Sequence, residues 1–160
     1  MQDRGDGARR ALRRAVETLL HDELGVTSIQ QVCGRCGSSG HGRPRVRVFR
    51  GEAPYVSWSY APGCAALAWS WVADVGVDLE AAGPDVEGVG DRVTWTRAEA
   101  VLKATGDGLN RSRSEIGPDE AWTTRLPLSE GYVGHVAVAG AHLVEPAVSW
   151  RLVGPGAPGR

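Results

Sequence analysis

The chain has 160 residues, 42% of them hydrophobic and 23% charged, with a formal net charge of −1. That composition belongs to one globular domain large enough for a real core and excludes a disordered chain. The near-neutral balance gives no case for general nucleic-acid binding. No apolar run is long enough to span a membrane, Cys64 to Val77 being interrupted by Ser70 and Asp74. The N-terminus has no signal-peptide core, so a cytoplasmic protein is expected.

Ala11, Leu12, Ala15, Val16, Leu19, Leu20 and Leu24 recur at helical spacing, and Gly25 stops the run. Arg9, Arg10, Arg13 and Arg14 form a mainly solvated face of that helix, with one of them within reach of a phosphate. Gly34 to Pro44 is a glycine- and serine-rich loop flanked by Cys33-x-x-Cys36, with His41 following. A zinc site needs four ligands, and no second Cys/His pair stands at finger-like spacing, so a loop of ordinary reduced thiols is the better reading. Val46 with Val48, Tyr55-Val56 and Ala65 to Val72 read as strands, with Cys64 in the core. Trp69 and Trp71 alternate along a strand and, with Trp58, Trp122 and Trp150, read as core residues. Trp58 and Tyr60 share one strand face, where the minority reading has them lining a groove.

Gly76–Glu80 is a further strand, followed by a turn-rich loop from Ala81 to Asp91. Thr96-x-x-Glu99 fits a capping box, predicting a helix from Thr96 to Thr105 that Gly106 closes. Trp95, Ala98, Val101, Leu102 and Thr105 would be its buried stripe, with Glu99 and Lys103 flanking the stripe at a cleft lip. A polar stretch, Gly106 to Glu120, precedes late strands around Val133–Ala139 and Val148–Leu152, and residues 154–160 read as a disordered tail. Strand runs mixed with a few helices indicate an α+β, sandwich-like domain.

Of 18 Lys and Arg residues, Lys103 is the only lysine. A lone ammonium in an arginine-rich chain suggests a task that suits a compact, adaptable charge better than a planar fork. Asp78 and Glu80 stand at i, i+2 on one strand face, as shared metal binding requires. Glu99 and Lys103 stand at i, i+4, where the bland alternative is a surface ion pair of little stabilising effect. Clustered carboxylates repel one another unless a cation relieves them, so removing one would raise stability.

Gly76-Val-Asp-Leu-Glu80, then Trp95-x-x-x-Glu99-Ala-x-x-Lys103-Ala-x-Gly-x-Gly-Leu109, resembles the larger, monomeric type of 4'-phosphopantetheinyl transferase. Gly40-His41-Gly42-Arg43-Pro44 is similar to that family's Gly-Lys/Arg-Pro turn near the adenine, and Val56-Ser57-Trp58-Ser59-Tyr60-Ala61 to its Ser-His-Ser segment. Gly131 to Ala139 with Val148-Ser149-Trp150 is similar to its closing strands. The resemblance implies one domain over 1–153, built of two pseudo-related α+β halves (roughly 1–75 and 76–153) with antiparallel strands and packed helices. It implies transfer of phosphopantetheine from coenzyme A to a serine of an acyl or peptidyl carrier protein in polyketide or nonribosomal peptide biosynthesis. Asp78, Glu80 and Glu99 would hold Mg²⁺; Asp78, Glu99 and Lys103 would be catalytic; Arg43, Pro44, Ser59, Tyr60 and Lys103 would meet coenzyme A.

The departures are equally specific. The loop after Glu80 is short where larger members carry an extra helix, Tyr60 stands in place of the usual histidine, Ala61 in place of serine, and Ala98 in place of a lysine. The alternative is therefore a retained fold with a changed task. It would be either an enzyme on another small molecule in a biosynthetic pathway or a non-catalytic module that binds a carrier protein.

Overall fold

The computed structural model describes residues 3–33, 36–39, 42–85, 90–108, 111–117, 119–140 and 146–149. Helix α1 (Asp3–Leu24) turns Val16 and Leu20 into a core shared with Val26, Val46 and Val56. Strands β1 (Val26–Gln31) and β2 (Pro44–Val48) pair antiparallel, as do β3 (Tyr55–Ala61) and β4 (Cys64–Ser70) across the Pro62-Gly63 turn. β5 (Val75–Ala81), α2 (Arg92–Thr105), β6 (Ala121–Arg125) and β7 (Tyr132–Ala139) complete the order, with a 3₁₀ turn at Arg113–Glu115. The last three strands form an antiparallel sheet, β5-β7-β6, with β7 in the centre. The class is α+β with antiparallel sheets.

Both faces of that sheet are covered, which is why β5 and β7 lack the polar alternation of a half-exposed strand. Ala100, Val101 and Ala104 of α2 pack on Ala121 and Ala137, while Val77, Val136 and Leu126 form a second layer against Ala66 and Ala68 of β4. Among the described residues no helix is long and apolar enough to cross a membrane.

Several local expectations are corrected. α2 begins at Arg92: the Asp91 carboxylate accepts from the Thr94 N–H at 2.8 Å, so Asp91 is the N-cap, and the Thr96/Glu99 capping box does not form. The buried positions of α2 are Thr96, Ala98, Ala100, Val101, Leu102 and Ala104, with Trp95 and Thr105 only half-buried. β4 stops at Ser70, whose hydroxyl accepts from the N–H groups of Val72 and Ala73 and offers the backbone a turn. Trp69 and Trp71 are 43% and 54% exposed and are not core. Cys64 is half-buried at the start of β4, not in the core. β1 and β6 add strands that the hydrophobic pattern did not indicate. Residues 146–149 carry no regular structure; the remainder of the expected Val148–Leu152 strand, Trp150, His41, Leu109 and the tail lie outside the described residues.

Candidate functional site

The site grows from the contact between β5 and α2. A Cβ added at Gly76 would lie 2.0 Å from the Ala100 carbonyl oxygen and 2.5 Å from the Ala104 nitrogen. Only glycine permits that approach, so the helix lies directly on the strand. Gly106, at φ 83°, closes α2 by donating its N–H to the Leu102 carbonyl. Two residues on from Gly76, and then two more, Asp78 and Glu80 share the strand face that α2 covers.

Asp78 is buried, its side chain 9% exposed. Its Oδ1 accepts from Lys103 Nζ at 2.7 Å and from Ser59 Oγ at 3.1 Å, and Lys103 Nζ also donates to the Val77 carbonyl at 2.9 Å. The i, i+4 pair between Glu99 and Lys103 does not form, because Lys103 reaches across to β5. Glu99 pairs instead with Arg113 at 3.0 Å, whose guanidinium lies 3.6 Å from the centre of the Trp95 ring. Glu80 pairs more loosely with Arg92, at 3.6 Å. Burial pushes the Glu80 carboxyl up, and the Asp78 charge adds to this; Arg92 and Lys103 oppose it, and Glu99 pushes the same way. Glu80 therefore feels both of the other carboxylates. Each of the three also has a cation, so the expectation that deleting one raises stability does not hold for Asp78, whose loss would strand Lys103.

Two observations bear on a metal. Asp78 Oδ2 is buried without a hydrogen-bond partner, and the nearby donor set is oxygen-only, as Mg²⁺ prefers. Among the described residues, however, no group of three or more His, Cys, Asp and Glu converges on one point. Asp78 keeps one carboxylate oxygen without a partner, whereas Glu80 and Glu99 are held by Arg92 and Arg113.

Beside this constellation opens a cleft of about 420 Å³. It is lined by Arg9 and Arg13 of α1, Gln31 of β1, Trp58, Ser59 and Tyr60 of β3, and Lys103 of α2. Trp58 and Tyr60 thus take the groove-lining role that their shared face allowed. The Arg9 guanidinium lies 5.8 Å from the centre of the Tyr60 ring. The Tyr60 hydroxyl is buried without a partner, and burial raises its pKa. Among the described residues, Tyr60 Oη and Asp78 Oδ2 are the two buried side-chain polar atoms left unpaired, and both belong to this site.

The expected site residues are thus only partly gathered. Asp78, Ser59, Tyr60 and Lys103 come together, with Glu80 further along β5 and Glu99 on α2. Arg43 pairs with Asp74 and reaches the Ala104 carbonyl at 3.5 Å, close to the C-terminal end of α2, where a cation is favoured. Neither Arg43 nor Pro44, the first residue of β2, is among the residues lining the cleft. The turn they belong to is tied to the cleft through Gln31, whose Nε2 donates to the Gly42 carbonyl at 2.9 Å.

His135, which has no visible partner in the sequence, has one in the fold. It stands opposite Asp78 in the β5–β7 register and is buried. The Thr96 hydroxyl donates to the Arg92 carbonyl at 2.8 Å, which leaves its oxygen to accept from His135 Nδ1, also at 2.8 Å. Burial lowers the His135 pKa, aided by Arg125 and Arg97, with Asp78 opposing. A lone histidine in an apolar strand gave no signal. Arg9 and Arg13 at i, i+4 did give one, since that spacing places both on one side of α1.

Fold and site together define an α+β protein whose Lys103–Asp78 pair stands beside a cleft lined also by Arg9 and Arg13. No protein-family model and no curated protein matches the chain.

Proposed function

We propose that this chain is a shortened, divergent 4'-phosphopantetheinyl transferase of the larger, monomeric type, with pseudo-related halves meeting near residue 75. The observation that carries the reading is the placement of Asp78 and Lys103 beside a cleft lined also by Arg9 and by Arg13, the latter paired with Glu17 at 2.9 Å. Such a cleft suits a ligand rich in phosphate, and coenzyme A is one.

Asp78, Glu80 and Glu99 would hold Mg²⁺, which supplies charge neutralisation on the diphosphate. The carrier serine oxygen attacks the phosphorus bearing pantetheine, and the bond from that phosphorus to the 3',5'-ADP oxygen breaks. Glu99, once free of Arg113, takes the serine proton directly or through a water. Lys103 meets the charge growing on the departing oxygen, a role for a compact ammonium. Calorimetry with coenzyme A tests the reading: tight binding strengthened by Mg²⁺ is expected, and no binding at millimolar ligand would sink it.

A second reading is favoured by the arginines on Glu80 and Glu99. With those carboxylates already neutralised, the cleft would serve another anionic small molecule without a divalent ion. Binding of coenzyme A that ignores Mg²⁺ would point there. A non-catalytic module that docks on a carrier protein stands third, because Asp78 Oδ2 and Tyr60 Oη are costly to bury unused.

A further inference from the structure

The edge of β5 is closed by hydroxyls. The N–H groups of Val77 and Leu79 donate to Ser57 Oγ at 3.0 Å and to Ser59 Oγ at 3.2 Å, so β3 and β5 lie side by side along a seam bridged by serines. Both serines are buried. Their tasks then diverge. A serine hydroxyl has one proton; in Ser59 it goes to Asp78 Oδ1 at 3.1 Å, whereas Ser57 stands beside apolar Val77.

We infer that Ser59 is a positioning residue for Asp78. The torsion about a carboxylate's last bond is broad, and donors held on one oxygen fix the plane of the group. Ser59 and Lys103 both donate to Oδ1, from β3 and from α2, so Oδ2 is turned away from both and left unpaired. The backbone of Leu79 fixes the serine in turn, so the orientation of the acid is tied to the strand seam. Ser59 lines the cleft, as its motif led one to expect, and also holds Asp78. This assignment rests on the proposed role of Asp78 as a cation ligand, but the bond itself is testable without any ligand.

Ser57 is the internal control, because it shares the seam and lacks the carboxylate. Unfolding equilibria are measured for Ser59→Ala, Ser57→Ala, Asp78→Asn and the two double variants, and Mn²⁺ binding is followed by electron paramagnetic resonance. Ser59→Ala and Asp78→Asn should couple by about fivefold or more in the unfolding constant, and Ser57→Ala and Asp78→Asn by less than about twofold. Ser59→Ala should weaken Mn²⁺ binding about tenfold, as loss of an orienting partner does elsewhere, with Ser59→Thr restoring it and Ser57→Ala leaving it unchanged. Equal coupling for the two serines, or Mn²⁺ affinity untouched in Ser59→Ala, overturns the inference. A wild-type protein that binds no Mn²⁺ while the cycle still couples keeps the positioning role and removes the metal reading instead.

Discussion

Lys103 Nζ lies 2.7 Å from Asp78 Oδ1, joining the end of α2 to the strand beneath it. The lysine is about one-third exposed and the aspartate buried, so the pair is solvated from one side only. Asp78→Ala removes the acceptor of both Lys103 and Ser59 and should cost about 1–3 kcal/mol, read from denaturant midpoints. Lys103→Arg should stay folded while transfer falls steeply, since a planar fork does not meet the departing oxygen as a compact ammonium does. Full activity in Lys103→Arg would refute the role given to the lone lysine.

Glu80 gives a pH signature. Its folded pKa is raised, chiefly by burial and then by Asp78, so the folded state binds its proton more readily than the unfolded state does. The resulting stabilisation is present below the ordinary glutamate range and is lost as pH rises through the raised folded value. In metal-free buffer Glu80→Gln should therefore melt higher than wild type at pH 7, with the difference vanishing by about pH 4. A variant less stable at pH 7 would mean that the Arg92 contact outweighs burial.

His135 runs the other way. Its pKa is lowered, first by burial, so the unfolded state takes up the proton more readily. Its contribution is present above about pH 6.5, the ordinary histidine value, and is lost as pH falls through the lowered folded value. Wild-type melting temperature should drop below that pH, and His135→Gln should flatten this part of the profile. An unchanged profile in the variant would assign the acid loss to other groups.

Arg9 and Arg13 face the cleft and Arg43 does not. Arg9→Ala and Arg13→Ala should each weaken coenzyme A binding by about tenfold while leaving the fold intact. Arg43→Ala should instead lower stability through the loss of Asp74 and of the α2 terminus, with little change in affinity. Calorimetry and melting curves on the three variants separate the two effects. A large affinity loss confined to Arg43→Ala would place the anion on the other side of the Gly42 turn.

What could be read from the residues was mostly local. The shared face of Asp78 and Glu80 follows from strand alternation, and the oddity of Lys103 from composition. The capping box failed because Thr96-x-x-Glu99 is also what a helix interior looks like when its threonine has a distant partner, here His135, 39 positions on. The cap lies five residues earlier, at Asp91, which accepts from the Thr94 N–H. Trp69 and Trp71 have the spacing of core residues, but the serine turn after Ser70 ends their strand and leaves them exposed. Arg113 lies in a polar stretch without periodicity, so nothing local tied it to Glu99. The seam between β3 and β5 was hidden for a similar reason: two serines two residues apart carry no signal until the edge they close is known.

Group transfer to a carrier serine is the activity that tests the site most directly. Several apo carrier proteins are incubated with the protein, coenzyme A and Mg²⁺, and the intact mass of each carrier is measured. The account predicts that at least one carrier gains a single phosphopantetheine on its serine, and that Glu99→Gln and Asp78→Asn abolish the gain. Carriers that all keep their mass, with a folded protein and intact coenzyme A, would contradict it.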